Sequence, residues 1–152
     1  MPLISYGINH KTAPIQLRER LSFNKITAAP AIQNLLNTTA VNEAVLLSTC
    51  NRTELYVDTG NPAQLSAWLK DQCKIDNVDL TAYAYYYTGL PAIRHLLRVA
   101  AGLDSMMLGE PQILGQLKQA YASAAEVGCV GTRFKQLFPA MFSLTKKIRQ
   151  NT

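Results

Sequence analysis

No run of apolar residues in this 152-residue chain approaches the roughly 20 needed to cross a bilayer as a helix. The chain opens on Leu3-Ile4-Ser5-Tyr6-Gly7-Ile8, which reads as a strand and lacks the basic-then-apolar layout of a secretory signal. The cytoplasm is therefore the expected compartment. Cysteine is sparse: the three residues, at 50, 73 and 129, are odd in number and scattered. That excludes a regular disulfide framework and suits reducing surroundings. Only His10 and His95 could join them, and no pair has zinc-site spacing, so no metal is expected. Glycine-rich phosphate loops are absent as well, both the dinucleotide fingerprint Gly-x-Gly-x-x-Gly and the P-loop. Any nicotinamide used in redox chemistry must then be held elsewhere. There is no internal repeat and no low-complexity segment.

What remains is an ordinary folded composition, 48% hydrophobic and 16% charged, long enough for one domain with a real core. The net charge of +5 fits a polyanionic partner without demonstrating one. Arg133, Lys135, Lys146, Lys147 and Arg149 cluster near the C-terminus, either as a solvated helix face or as part of such a surface.

Apolar periodicity predicts strand, helix, helix, strand, strand, helix and strand up to about residue 88, then three helices. Leu17 and Leu21 share one helical face, and a second helix is expected from about Thr27 to Leu36. Ala44-Val45-Leu46-Leu47 reads as a buried strand, and Glu54-Leu55-Tyr56-Val57-Asp58 as a half-buried one. Leu65, Trp68, Leu69 and Cys73 recur at helical spacing. Tyr83 to Thr88 reads as the last strand, its tyrosines either packed under helices or forming a stacking platform. Beyond Gly89, the stripe Ile93, Leu96, Leu97, Ala100 and Leu103 predicts a helix, with a break from Asp104 to Glu110. Ile113, Leu117, Ala120, Tyr121, Ala124 and Val127 predict the next, ended by Gly128. Phe134, Leu137, Phe138, Met141, Leu144 and Ile148 predict the last, with Pro139 expected to kink or restart it. This order suits an α+β fold, a ferredoxin-like split β-α-β sheet (βαββαβ) over about 1–88 with a helical part over 89–152.

The chemistry concentrates between the two central strands, in Ser48-Thr49-Cys50-Asn51-Arg52. A thiol at the lip of a sheet, two residues from a guanidinium, is a candidate nucleophilic thiolate, although many free cysteines are simply small buried hydrophobes. His95 is expected outside the Ile93/Leu97/Ala100 stripe. It reads either as a half-exposed histidine or as a base or orienting group for Cys50 or a leaving oxygen. Gln112, Gln116 and Gln119 share one face near a helix start. Their amides could hold both ends of an amino acid, or could merely be solvated. Asp104-Ser105 could be a turn or a donor to ligand.

Three segments carry a resemblance. Gly7-Ile8-Asn9-His10-Lys11-Thr12-Ala13-Pro14, Leu47 to Tyr56, and Ala101 to Ser105 with Gly109 to Gln116 together resemble the N-terminal catalytic domain of the glutamyl-tRNA reductase family, across essentially the whole chain. The resemblance implies that Cys50 attacks glutamyl-tRNA(Glu) to give a glutamyl thioester. Hydride from NADPH, bound by a domain missing after Thr152, then releases glutamate-1-semialdehyde for tetrapyrrole synthesis. It implies substrate-binding roles for Thr49, Asn51, Arg52, Ser105, Glu110, Pro111, Gln112 and Gln116, and a part in activity for His95. It further implies a homodimer built through missing C-terminal helices, and glutamate-1-semialdehyde aminotransferase as a possible partner. The rival readings are a Cys/His thiol esterase of aminoacyl-tRNA and a non-catalytic tRNA-binding module.

Overall fold

The computed structural model describes residues 3–104 and 112–150. Four antiparallel strands, β1 (Leu3–Asn9), β2 (Glu43–Ser48), β3 (Arg52–Asp58) and β4 (Tyr85–Thr88), form a sheet in the order β2-β3-β1-β4. That is the strand order of the expected split β-α-β sheet. Between β1 and β2 run α1 (Ile15–Arg20) and α2 (Lys25–Thr38), and α3 (Ala63–Cys73) follows β3. A short 3-10 turn, Leu80–Ala82, precedes the segment read as the last strand, which becomes strand only from Tyr85. The extension comprises α4 (Leu90–Ala100), α5 (Ile113–Glu126) and α6 (Thr132–Gln150).

Asn24 starts α2 two residues earlier than its periodicity suggests, because its side chain accepts from the backbone N–H of Ile26 and Thr27 as a capping box. Asn34 ties α2 to α3 by accepting from Trp68 Nε1 at 2.9 Å and Gln72 Nε2 at 3.0 Å. On the same side of the sheet, Phe23 stacks on Trp68 and its N–H donates to Ser48 Oγ. The opposite face meets the extension. Ser5 Oγ donates to the Ala92 carbonyl of α4, and Tyr56 packs edge-on against Phe138 of α6. Glu43, at the start of edge strand β2, accepts from the N–H of Gly131 and Phe134 and so anchors the start of α6.

Several expectations need correction, and covering the second face explains most of them. Strand β3 is buried on both faces, not half-buried, since α4 and α6 roof its polar side. The inward face of α4 is Ala92, His95, Leu96 and Val99, so His95 lies inside the buried stripe while Leu103 is exposed. Pro139 does not restart the last helix. It sits on the solvent side of a continuous α6, where a missing N–H leaves no buried carbonyl unmet. Along α6 the buried line is Phe134, Phe138, Met141 and Thr145, and Leu144 faces out. Thr145 is tolerated there because its hydroxyl donates to the Met141 carbonyl at 2.7 Å.

Gly7 shows how tightly the central strands are drawn together. In register it faces Glu54 on one side and Tyr85 on the other, and a Cβ there would lie 2.3 Å from the Thr53 carbonyl oxygen. A backbone atom cannot step aside as a flexible side chain can. Gly7→Ala is expected to cost about 1–3 kcal/mol by overpacking, read as a lowered denaturation midpoint at unchanged slope. An unchanged midpoint would show that β1 and β3 can separate freely.

Candidate active site

The hairpin between β2 and β3 is closed by the Thr49 N–H donating to the Arg52 carbonyl at 2.8 Å. Thr49 Oγ1 accepts from the Asn51 N–H at 3.2 Å, which holds the loop from within. Cys50 stands at the tip and is exposed. From α1, Arg18 braces this tip, donating from Nη1 to the Cys50 carbonyl at 3.0 Å and from Nε to the Ala13 carbonyl at 3.1 Å. A cleft of about 420 Å³ opens beside the thiol, with Ile15, Arg18, Ser22, Phe23 and Thr49 among its walls.

Arg52 is not the electrostatic neighbour of Cys50 that sequence proximity suggests. As a β3 residue it points to the extension face, where its side chain is only 1% exposed. Nη1 lies 3.0 Å from Glu54 Oε2 and 3.1 Å from Asp104 Oδ2, and Nη2 donates to the Asp104 carbonyl. Lys11 adds an outer contact to Asp104 at 3.7 Å.

Beneath Arg52 lies a buried polar knot. Glu54 is fully enclosed and accepts from Arg52, from the hydroxyls of Tyr56 and Tyr85, and from His95 Nε2 at 2.8 Å. Burial alone would push the Glu54 carboxyl up, but His95, Arg52 and Tyr56 outweigh it and hold it down at about 2. Burial also works against the charge on Arg52, yet Glu54 raises its pKa above the ordinary value. The hydroxyls of Tyr56 and Tyr85 are raised by burial and by the Glu54 charge, so they stay protonated as donors. An ionised carboxylate only accepts, so His95 Nε2 carries the hydrogen of that contact. The His95 ring is 7% exposed and packs against Tyr85 and Tyr87, with centroids 5.4 and 4.8 Å away.

Of the sequence candidates, Thr49, Cys50 and Asn51 share the hairpin tip, while Arg52 and His95 meet through Glu54. Gln112 stands exposed at the N-cap position of α5, its side chain making no capping hydrogen bond. Gln116 is half-buried and lines a second groove, about 380 Å³, between α2, β2 and α5, with Gln119 beside it. This groove and the Cys50 cleft share Phe23 and Ser48 as walls. Ser105, Glu110 and Pro111 lie outside the described residues. Sequence reasoning missed Glu54, Tyr56, Tyr85 and Arg18. The available signal was that Arg52, Glu54 and Tyr56 alternate on one strand face, while three apolar-striped helices still needed a face to cover.

The other two thiols are less exposed than that of Cys50. Burial pushes the half-buried Cys73 thiol up to about 11 and raises that of buried Cys129. Iodoacetamide at neutral pH is expected to label Cys50 at least about tenfold faster than either, by peptide mapping. Equal labelling of all three would show that the hairpin tip gives its thiol no advantage.

Comparisons with known proteins place this geometry in context. The family described as glutamyl-tRNAGlu reductase, N-terminal domain, matches residues 6–152. The chain is 49% identical over its whole length to a glutamyl-tRNA reductase of Coxiella burnetii, and 48% identical to one of Shewanella baltica. It spans 37% and 36% of those relatives' lengths. The solved glutamyl-tRNA reductase from Methanopyrus kandleri superposes with a TM-score of 0.79 at 35% identity, covering 99% of this chain and 35% of that one.

Proposed function

Because this chain belongs to the glutamyl-tRNAGlu reductase N-terminal domain family, we propose that it is the part of such an enzyme that transfers glutamate from tRNA to Cys50. The observation that carries this reading is an exposed thiol at a hairpin tip braced by Arg18, beside an open cleft. The Cys50 thiolate attacks the carbonyl carbon of the glutamyl ester, so a C–S bond forms and the C–O bond to ribose breaks. The electron pair leaves with the ribose oxygen, which ends with the proton the thiol gave up. A thioester keeps the acyl group electrophilic and gives a good leaving group for the next step.

Arg52 is the group to receive a glutamate carboxylate, since a planar fork binds carboxylates at two points. For that, the Asp104 carboxylate at 3.1 Å must give way, exchanging one carboxylate for another. His95, donating from Nε2 to Glu54, belongs to the support beneath Arg52. Thr49 and Asn51 border the acyl group from the hairpin, and Gln116 faces the adjoining groove.

NADPH is the hydride source this family implies, but the residues here do not fit a dinucleotide, because no strand-to-helix junction carries the glycine-rich fingerprint. Reduction to glutamate-1-semialdehyde, an entry to tetrapyrrole synthesis, is accordingly assigned to the complete enzyme, and no step of it is derived from this chain. The test is to mix the chain with tRNA charged with labelled glutamate, without NADPH, and to map the quenched protein by mass. A glutamyl adduct at Cys50, or Cys50-dependent release of glutamate where water outruns accumulation, is the expected result. Neither signal, with Cys50 still reactive to iodoacetamide, would remove the proposal.

A further inference from the structure

We propose that the cleft walled by Ile15, Arg18, Ser22 and Phe23 binds the terminal adenosine of the tRNA, so that the two halves of the ester lie on opposite faces of the sheet with Cys50 between them. This rests on the acyl-transfer reading above and specifies where the leaving group sits.

Strand parity supplies the first part of the argument. Arg52 projects to the face roofed by α4 and α6, where Glu54, Asp104 and His95 gather. Ser48, one residue before the hairpin, projects to the other face, where it accepts from Phe23 at 2.9 Å and meets Thr53 Oγ1 at 3.1 Å. The cleft belongs to that second side, since Phe23 and Ser48 both line it. An ester bound across the tip with its carboxylate at Arg52 must therefore project its alcohol half toward α1.

Cleft chemistry supplies the second part. Ile15 is 54% exposed, an unusual cost for a large aliphatic side chain beside a reactive thiol, and it offers a flat apolar wall. Phe23 adds an aromatic surface, its ring already fixed by stacking on Trp68 at 6.5 Å. Every nucleobase has a π-face, and base–aromatic stacking tolerates any sequence. The polar groups suit ribose hydroxyls and a phosphate: the Ser22 hydroxyl, which donates to the Glu19 carbonyl at 2.8 Å and keeps its acceptor capacity, the Thr49 backbone turn and the Arg18 guanidinium, with Glu19 the one carboxylate among the cleft's described walls. Arg18 is prepositioned by its two carbonyl contacts, and at least one of its donor nitrogens remains for a phosphate oxygen. At about 420 Å³ the cleft falls within the ~300–1,000 Å³ usual for small-molecule sites. Because Arg18 holds the Cys50 carbonyl, filling the cleft also bears directly on the position of the thiol.

The test uses the 152-residue chain and the trinucleotide cytidylyl-cytidylyl-adenosine, which carries no glutamate. Iodoacetamide alkylation of Cys50 is timed by peptide mapping with rising trinucleotide, and Cys73 serves as the internal control. Saturable protection is expected, slowing Cys50 at least about fivefold while leaving Cys73 unchanged. Two substitutions at exposed positions, Ser22→Trp to fill the cleft and Ile15→Asp to spoil its apolar wall, are expected to raise the half-protecting concentration tenfold or more. Circular dichroism checks that both variants fold. No protection in the parent chain, or protection undiminished in both variants, would overturn the assignment. Acylation by glutamyl-tRNA, followed in parallel, separates the two ideas. Acylation without trinucleotide protection removes the cleft assignment alone. Protection without acylation removes the acyl-transfer reading and leaves a nucleoside site.

Discussion

Replacing Cys50 by serine is expected to abolish acylation by glutamyl-tRNA, lowering the rate of adduct formation at least about 10³-fold, which corresponds to about 4 kcal/mol of barrier. A serine hydroxyl needs a strong adjacent base to become an effective nucleophile. His95 Nε2 cannot serve as that base, because it donates its hydrogen to Glu54. The same substitution should leave stability within about 0.5 kcal/mol, because the side chain is exposed at a hairpin tip held through backbone groups, Thr49 and Arg18. Loss of the adduct together with an unchanged melting curve is the expected pair. An adduct of normal yield in Cys50→Ser would assign the nucleophile elsewhere. A large drop in melting temperature would mean that the thiol packs as a structural side chain.

That separation of chemistry from stability was partly visible in the sequence. The apolar run Ala44 to Leu47, broken by a polar turn and followed by an alternating segment, reads as a hairpin because burial on a sheet has period two. It was legible for that reason, and Cys50 fell at its tip. The three helical stripes after Gly89 were legible as well. What they cover was not, because a face of Arg52, Glu54 and Tyr56 looks the same in sequence whether water or helices lie over it. Only the tertiary arrangement makes that face interior. His95 then moves from the edge of a stripe to its centre, since the Glu54 carboxylate offsets the cost of burying an imidazole. Arg18 was illegible for a different reason: it lies 32 residues from Cys50 in the chain, and local patterns do not report such pairs. In α6 the hydrophobic count favoured Leu144 over Thr145, but a threonine that returns its hydroxyl to the preceding turn can take the inward position.

The largest expected effect on stability belongs to Glu54. In Glu54→Ala the Arg52 guanidinium stays buried with Asp104 as its remaining carboxylate partner among the described residues, and the hydroxyls of Tyr56 and Tyr85 and the Nε2 hydrogen of His95 lose their acceptor. Removing one partner of a buried charged pair typically costs about 3–5 kcal/mol, a fall of roughly 10 °C in melting temperature at this chain length. Glu54→Gln keeps the volume and one acceptor oxygen but turns an amide N–H₂ toward the donors around it, so it should fall between Ala and the parent. The carboxylate also sets a pH dependence. Its folded pKa of about 2 lies below the ordinary 4.5, so its contribution is complete above pH 4.5 and is lost as pH falls toward 2. Measured by urea denaturation, the stability gap between parent and Glu54→Gln should hold steady from pH 7 to about 5 and narrow below it. A gap independent of pH down to about 2 would mean that folding leaves the Glu54 pKa unshifted, and a gap that widens as pH falls toward 4.5 would mean that Glu54 is neutral in the folded chain. Acylation provides the functional counterpart. If Glu54 supports Arg52 as the receiver of the substrate carboxylate, Glu54→Gln should raise the glutamyl-tRNA concentration at half-maximal acylation more than it lowers the maximal rate. The reverse pattern would place the knot in the chemical step itself.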